Sequence, residues 1–263
     1  FQRYNAFENM AIDEAIFRET VKNKVPPTIR FYGWRPAAVS IGYFQDVEKE
    51  INVKKCCAAG VDIVRRISGG KAVYHCSEVT YSVIASIEEK SFPADIVGTY
   101  KVISDCITRG LADLGIVTAL AEAGRPLPGD AFTACCFSVP SRNELLVAGR
   151  KICGSAQMRT SGGFLQHGSL LMDFDPVQTA SFLLPARTDI QLKTLRDSVA
   201  AVNEEMNRVV DEEEICASLK RGFVAVLRKE IEAGALTPVE EKLAHDLMHK
   251  YKDLGRNPDR KEF

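Results

Sequence analysis

The sequence contains no long apolar run and no surplus of charge of either sign. Of its 263 residues, 34 are lysine or arginine and 35 are aspartate or glutamate, so the formal net charge is -1. A chain without a basic surplus lacks the field that draws proteins to nucleic acid. No apolar stretch approaches the roughly 20 residues that span a bilayer, and the opening lacks the basic-then-apolar order of a secretion signal. We therefore expect a cytoplasmic protein with neither a membrane nor a nucleic-acid partner.

Cysteine and histidine are also sparse. Eight cysteines in 263 residues are too few for the disulfide-dense scaffolds of small secreted domains. The sequence has no Cys-X-X-Cys pair, and its four histidines are scattered, so the ligand spacings of structural zinc are missing. We expect reduced thiols and no metal site. Because the numbering begins at Phe1 and not at a methionine, we also expect the natural chain to begin earlier.

Hydrophobic residues make up 46% of the chain and charged residues 26%, which is typical of a domain that buries a full core. Near the start, Phe7, Met10, Glu14, Phe17 and Val21 recur at helical spacing, and this pattern predicts an amphipathic helix. A carboxylate inside that apolar stripe must find a buried partner, so we expect Glu14 to have one.

Short segments of β-rich composition alternate with helical patterns along the rest of the chain. The stretches Glu144 to Val147, Lys151 to Arg159 and Phe164 to Asp173 are separated by glycine-containing turns, which favours an antiparallel meander. From about residue 190 onward the pattern is helical. We predict a mixed α/β fold with a helical C-terminal tail.

The strand that begins at Lys151 has two different faces. Period two places Lys151, Cys153 and Ser155 on one face, and Gly154 and Ala156 on the other. We expect the second face to pack against the core and the first to be either a solvated surface or the wall of a site. The small residues Gly154, Ser155 and Ala156 favour a site, because they allow a ligand to approach the backbone closely.

A second cluster, RRISGGKAVYH (65–75), has two β-like pieces around a glycine pair. The glycines by themselves indicate a hairpin, but the flanking arginines and lysine also suit a phosphate or carboxylate group. Neither the P-loop spacing nor Gly-x-Gly-x-x-Gly occurs. Nucleotide binding is therefore not indicated by these residues.

Taken in order, NMAIDEA (9–15), RRISGGKAVYH (65–75), GRKICGSAQ (149–157) and LQHGSLL (165–171) resemble the lipoate/biotin protein ligase and acyltransferase superfamily. The resemblance implies a mixed, largely antiparallel sheet with flanking helices, similar to class II aminoacyl-tRNA synthetases and biotinyl protein ligases. It also implies an apolar tunnel for a medium-chain acyl group. On this basis we expect residues 1–188 to form the catalytic domain and residues 189–263 to form a helical extension packed on it.

Within the superfamily, Lys71 and the segment CSEVTYS (76–82) are most similar to the cysteine-dependent octanoyltransferases. In that family a cysteine followed by phenylalanine, fifteen residues before the motif lysine, forms the acyl-enzyme. The resemblance therefore implies that Cys136 is the nucleophile and that Lys151 activates its thiol and contacts the acyl carbonyl. Cys135 and Cys153 are possible assistants, and we place Cys153 in the pocket lining. The implied acyl-binding residues are Arg66, Ser68, Gly69, Gly70, His75, Gly154, Ser155, Ala156, His167 and Gly168.

The implied reaction moves an octanoyl group from octanoyl-acyl carrier protein to a lysine of the glycine cleavage H protein or another lipoyl domain, in lipoate biosynthesis. It needs no cofactor. Three alternatives stay open: an ATP- and magnesium-dependent lipoate-protein ligase, a transamidase that takes octanoyl from H protein, and a non-catalytic acyl-binding module. Backbone amides around Gly154 and Ser155 are candidate oxyanion donors. His75 and His167 are either substrate contacts or hydrogen-bonded core histidines, and Arg65 is left out of the site.

Overall fold

The computed structural model describes residues 1–121, 144–183 and 189–253. Within them, a large sheet has the strand order β1-β2-β6-β10-β9-β8-β7 and a small sheet has the order β4-β3-β5. The strands of the large sheet are β1 (Gln2–Tyr4), β2 (Thr28–Trp34), β6 (Glu78–Ser86), β7 (Ala119–Leu120), β8 (Leu145–Val147), β9 (Arg150–Thr160) and β10 (Gly163–Leu171). Those of the small sheet are β3 (Ala38–Ile41), β4 (Asp62–Arg65) and β5 (Val73–His75). Among these strands, β1 and β2 pair in parallel, as do β3 and β4, and the other pairings are antiparallel. The predicted fold class is confirmed.

The predicted meander is confirmed as β8, β9 and β10. Between β8 and β9, Ala148 and Gly149 both have positive φ angles, 48° and 81°, which is the backbone that a two-residue hairpin turn requires. At the start of β10, a Cβ atom added to Gly163 would lie 2.4 Å from the carbonyl oxygen of Ala85 on β6. β6 and β10 therefore approach each other closely at a position that has no side chain.

The predicted first helix is confirmed as α1 (Ala6–Thr20), but it is not amphipathic: 12 of its 15 residues are buried, because the sheet covers one side of the helix and α9 (Pro238–Tyr251) another. Asn5 caps it through a capping box with Glu8, which satisfies backbone N–H groups that the first turn leaves unpaired. Glu14 is fully buried and has the partners that we expected. Its carboxylate accepts hydrogen bonds from Arg18 and Tyr251 and, at 3.1 Å, from Lys250.

Helices cover both faces of the large sheet. The helices after α1 are α2 (Val47–Glu50), α3 (Val53–Ala58), α4 (Ile96–Asp113), α5 (Pro176–Leu183), α6 (Asp189–Ser198), α7 (Val202–Met206), α8 (Glu212–Leu227) and α9 (Pro238–Tyr251). On β6, Val79, Tyr81 and Val83 share a buried cluster with residues of α4 and α8. Ile84, on the opposite face, belongs to a second cluster with α1 and α9. The period-two alternation of β6 thus separates two cores.

The C-terminal helices belong to these same cores. Leu219 and Phe223 of α8 pack with α4, and Leu247 of α9 packs with α1. A third cluster joins the small sheet to α3, α5 and α6. The expected boundary near residue 188 falls at residues 184–188, outside the described residues, so the division into two domains stays a prediction. No described helix is long and apolar enough to cross a membrane.

The crossing of α4 and α8 depends on the lack of a side chain at Gly222. A Cβ atom there would lie 2.2 Å from the carbonyl oxygen of Cys106 and 2.6 Å from the backbone nitrogen of Gly110. We expect Gly222→Ala to lower the free energy of unfolding by about 1–3 kcal/mol through overpacking, although alanine favours a helix over glycine by about 1 kcal/mol. Denaturant unfolding measures the loss. Gly234→Ala is the matched control, because a Cβ atom at Gly234 meets nothing within 4 Å; equal stability of the two variants would contradict this account.

Candidate active site

A pocket lies between one face of the large sheet, helix α1 and the small sheet. Its cavity volume is about 30 Å³ and its exposed surface is apolar. The residues that line it are Met10, Tyr32, Trp34, Ser40, Arg66, Val73, His75, Thr80, Gly154, Ser155, Ala156, His167, Gly168 and Ser169. Seven of the ten predicted acyl-binding residues are among them. The exceptions are Ser68, Gly69 and Gly70, which lie in the adjacent turn and not in the lining.

The predicted assignment of the two faces of β9 is wrong for Cys153, Gly154 and Ala156, whereas Ser155 lines the pocket, as the wall predicted for its face allowed. Gly154 and Ala156 lie opposite Ser169 and His167 on β10, and all four line the pocket. Cys153, on the other face, is buried in the cluster that includes α4 and α8, and it is not in the lining. The physical reason is size: glycine and alanine leave open volume on their own side, whereas the larger side chains fill the core on the other.

Glu78 and His75 form a buried hydrogen-bonded pair at the wall of the pocket. His75 Nδ1 lies 2.8 Å from Glu78 Oε1, and Nε2 lies 2.7 Å from the hydroxyl of Ser40. Trp34 stacks on the His75 ring with a centroid distance of 4.0 Å. Burial acts to raise the pKa of Glu78, but the interaction with His75 and hydrogen bonds from Thr80 and other groups hold this pKa below its usual value. The carboxylate is therefore charged, and His75 carries its proton on Nδ1.

His167 has a similar environment formed by α1. Its Nε2 lies 2.6 Å from the Ser68 hydroxyl, and its Nδ1 lies 3.6 Å from Asp13 Oδ2. Burial lowers the pKa of His167 below its usual value, although Asp13 acts to raise it. Burial also acts to raise the pKa of Asp13, but the Arg30 guanidinium, the neighbouring His167 ring and a hydrogen bond from Tyr32 lower it overall. Both ring nitrogens of each pocket histidine thus have a protein partner.

Arg66 joins this wall to the Gly69–Gly70 turn. Its guanidinium donates to the hydroxyl of Ser40 at 3.1 Å and to the carbonyl oxygens of Gly69 and Lys71 at 2.8 Å each. Gly70 has a φ of +91°, and an added Cβ atom would lie 2.9 Å from Arg66. The arginine therefore holds a turn that needs glycine. Its neighbour Arg65, which we left out of the site, donates to backbone carbonyls of the 42–45 segment.

Lys151 does not line the pocket. Its side chain is buried, and Nζ lies 2.7 Å from Glu144 Oε1, whose side chain is buried as well. Cys153 follows on the same strand, and burial raises the pKa of its thiol to about 12. A thiol with that pKa is a poor nucleophile at neutral pH. Cys135 and Cys136 lie outside the described residues, so the role of Cys136 stays a prediction.

Sequence reasoning missed several residues of this site. Asp13, Glu78 and Glu144 are each paired with a predicted site residue. Asp13 lies in the quoted segment 9–15 and Glu78 in 76–82, so both were visible as members of the motifs. The sequence signal for such a residue is a carboxylate within a stretch that otherwise has the pattern of a buried strand or helix. A buried carboxylate requires partners in the protein.

Comparison with known proteins identifies the family. Residues 5–224 match the model of the lipoyl protein ligase A/B catalytic domain. The chain belongs to this family. It is similar to octanoyltransferase LipM of Kyrpidia tusciae, with 39% identity over 92% of this chain and 91% of that protein. Octanoyltransferase LipM of Bacillus subtilis shows 38% identity over 91% of this chain and 88% of that protein.

A solved structure is similar as well. It is a bipartite lipoate protein ligase from Thermoplasma acidophilum, described with its E2 lipoyl domain, and it gives a TM-score of 0.79 at 27% identity. The similarity covers 98% of this chain and 93% of that one. The superfamily predicted from four motifs is thus confirmed by the family match, by the relatives and by the fold.

The environment of His167 predicts a pH dependence of stability. Because its pKa is lower in the folded protein than the ordinary 6.5, the unfolded chain takes up a proton more readily. His167 therefore contributes stability above about pH 6.5 that is lost as the pH falls towards the folded-state pKa. We expect His167→Gln to flatten the decline of the unfolding free energy below that pH, by at most about 1.4 kcal/mol per pH unit. The same substitution at the exposed His245 is the control and should leave the decline unchanged. Identical slopes of unfolding free energy against pH for His167→Gln and the wild type would contradict the lowered pKa of His167.

Proposed function

We propose that this protein transfers octanoyl groups from octanoyl-acyl carrier protein to a lysine of a lipoyl domain, through a thioester on Cys136. The observation that carries the proposal is the similarity to octanoyltransferases over nine-tenths of both chains. It supports an acyltransferase of lipoate biosynthesis, as the motifs predicted. The thioester on Cys136, the carrier-protein donor and the H protein acceptor are predictions from the resemblance and from the fifteen-residue interval between Cys136 and Lys151.

The pocket has the apolar surface that an octanoyl chain requires. It lies between α1 and the two sheets, and its surface is apolar although most of its lining residues carry polar atoms. An eight-carbon chain gains free energy by leaving water for such a surface, at about 0.8 kcal/mol per buried methylene. The small residues Gly154 and Ala156 leave that space open on the sheet side.

The chemistry needs no nucleotide. A carrier-bound acyl group is already a thioester, so its transfer to a cysteine thiolate exchanges one thioester for another. Attack by an acceptor lysine amine then forms the amide, and the cysteine leaves as a thiolate that takes up the proton released by the amine. We therefore propose an enzyme without cofactor or metal. An ATP-dependent ligase, in contrast, has to activate a free acid.

The acceptor is proposed to be a lipoyl domain, with the glycine cleavage H protein as the first candidate. The similar Thermoplasma ligase is described with an E2 lipoyl domain, which supports this class of acceptor. A transamidase that takes octanoyl from H protein uses the same class of acceptor, so donor comparison separates the two.

The acyl-enzyme is testable by mass. After incubation with octanoyl-acyl carrier protein and denaturation, we expect one octanoyl group on Cys136, and Cys136→Ala should lose transfer. Cys153→Ala is the matched control, because a buried thiol with a pKa of about 12 should not carry the acyl group.

Three donors then decide between the candidates: octanoyl-acyl carrier protein, octanoylated H protein, and octanoate with ATP. Turnover with octanoyl-acyl carrier protein, and with neither of the other two donors, supports the proposal. Turnover with octanoate and ATP that survives Cys136→Ala would establish the ligase, and preference for octanoylated H protein would establish the transamidase.

Lys151 is proposed to favour the thiolate of Cys136 through its ammonium charge. We expect Lys151→Met to move the pH profile of Cys136 alkylation to higher pH and to slow alkylation at neutral pH about tenfold. Peptide mapping follows each thiol separately, and the exposed Cys57 and Cys76 serve as internal controls. An unchanged Cys136 profile would mean that Lys151 positions substrate and does not activate the thiol. Lys151→Met also removes the ion-pair partner of Glu144. The double variant Lys151→Met/Glu144→Gln is therefore measured beside it, so that the loss of the ammonium is compared with and without the Glu144 charge.

A further inference from the structure

Four residues of the pocket wall point a hydrogen-bond donor at one buried oxygen. Glu78 Oε1 accepts from His75 Nδ1 at 2.8 Å, from the Ser169 hydroxyl at 2.8 Å, from the Thr80 hydroxyl at 2.5 Å and from Trp34 Nε1 at 3.1 Å. All four donor residues line the pocket, whereas Glu78 does not. The carboxylate thus lies behind the wall and receives donors that would otherwise be available to the cavity.

These donors come from four different strands. Trp34 ends β2, His75 ends β5, Thr80 lies on β6, and Ser169 lies opposite Thr80 on β10. The side chain of Glu78 is 1% exposed, so solvent does not compete for its oxygen. One carboxylate therefore orients polar groups from both sheets, and this explains how a wall of polar residues presents an apolar surface.

A hydrogen-bond donor that has no acceptor in an apolar cavity raises the free energy of the protein. A water molecule or an oxygen of the ligand can then accept its hydrogen bond. We infer that Glu78 is a positioning residue that makes this pocket selective for unsubstituted hydrocarbon chains over chains of equal length that carry an oxygen. The inference rests on the proposed function, because it concerns the acyl group that the enzyme transfers. It extends that function by assigning the choice of substrate class to a residue that does not touch the acyl chain.

The two oxygens of Glu78 allow a matched pair of variants. Within the described part of the chain, Oε2 is buried without a hydrogen-bond partner, while Oε1 accepts all four bonds. Glu78→Gln can keep the accepting oxygen and place its amide nitrogen at the position of Oε2. Glu78→Met keeps a similar side-chain length and removes the acceptor, which takes their common partner from His75, Thr80 and Ser169, while Trp34 Nε1 keeps its hydrogen bond to the Thr80 hydroxyl at 2.8 Å.

The experiment compares carrier protein loaded with octanoyl and carrier protein loaded with the same chain in which an ether oxygen replaces one mid-chain methylene. Selectivity is the ratio of the two kcat/KM values. We expect the wild type to favour octanoyl by on the order of 10²-fold. Glu78→Gln should retain that ratio within about threefold, whereas Glu78→Met should lower it about tenfold or more as the donors turn towards the ether oxygen.

Glu14→Met controls for a loss of stability alone. Glu14 is another fully buried carboxylate, and it does not line the pocket, so this variant should unfold more easily but keep the wild-type ratio. If Glu78→Met does not fold, Glu78→Asp gives the measurement, because its shorter side chain withdraws the acceptor and should lower the ratio in part. Normal octanoyl transfer with an unchanged ratio in Glu78→Met, or in Glu78→Asp where Glu78→Met does not fold, overturns the inference. Failure of the wild type to transfer octanoyl from the carrier protein overturns the proposed function instead.

Discussion

Two buried carboxylates, Asp13 and Glu78, hold the pocket together. Taking a charge out of water is expensive unless hydrogen bonds and opposite charge compensate for it, so each carboxylate requires a specific set of neighbours. Asp13 accepts hydrogen bonds from Arg30 at 2.5 Å, from Tyr32 at 2.9 Å and from Ser82 at 3.0 Å. These bonds fix α1 against β2 and β6. Glu78 does the same for strands of both sheets. The position of the helix, the meeting of the two sheets and the direction of the wall donors all follow from these bonds.

The two histidines connect these carboxylates to residues at the edge of the pocket. His75 connects Glu78 to Ser40 and so to Arg66, which holds the Gly69–Gly70 turn. His167 connects Asp13 to Ser68, the residue just before the same turn. The turn is therefore fixed from two directions, and the histidines of the motifs support the pocket through bonds to protein groups.

The motif strand β9 serves two regions at once. Its small residues Gly154 and Ala156 open the pocket, while Lys151 pairs with Glu144 in the buried region on the other side. The proposed chemistry needs both regions, since the acyl chain requires an apolar space and the thiol requires a positive charge. A strand whose neighbouring residues alternate in direction can supply both within six residues.

The sequence by itself determined the family, the fold class, the first helix and the three-stranded meander, because these depend on local spacing and on motif order. It also identified seven of the residues that line the pocket. Tertiary structure alone decided which face of β9 encloses the pocket, since period two separates two faces without saying which one packs against helices. It also decided that Asp13, Glu78 and Glu144 are the partners of His167, His75 and Lys151. For Asp13 and His167 these bonds join residues far apart in the chain, and a buried charge is compensated by whichever groups the fold brings within reach.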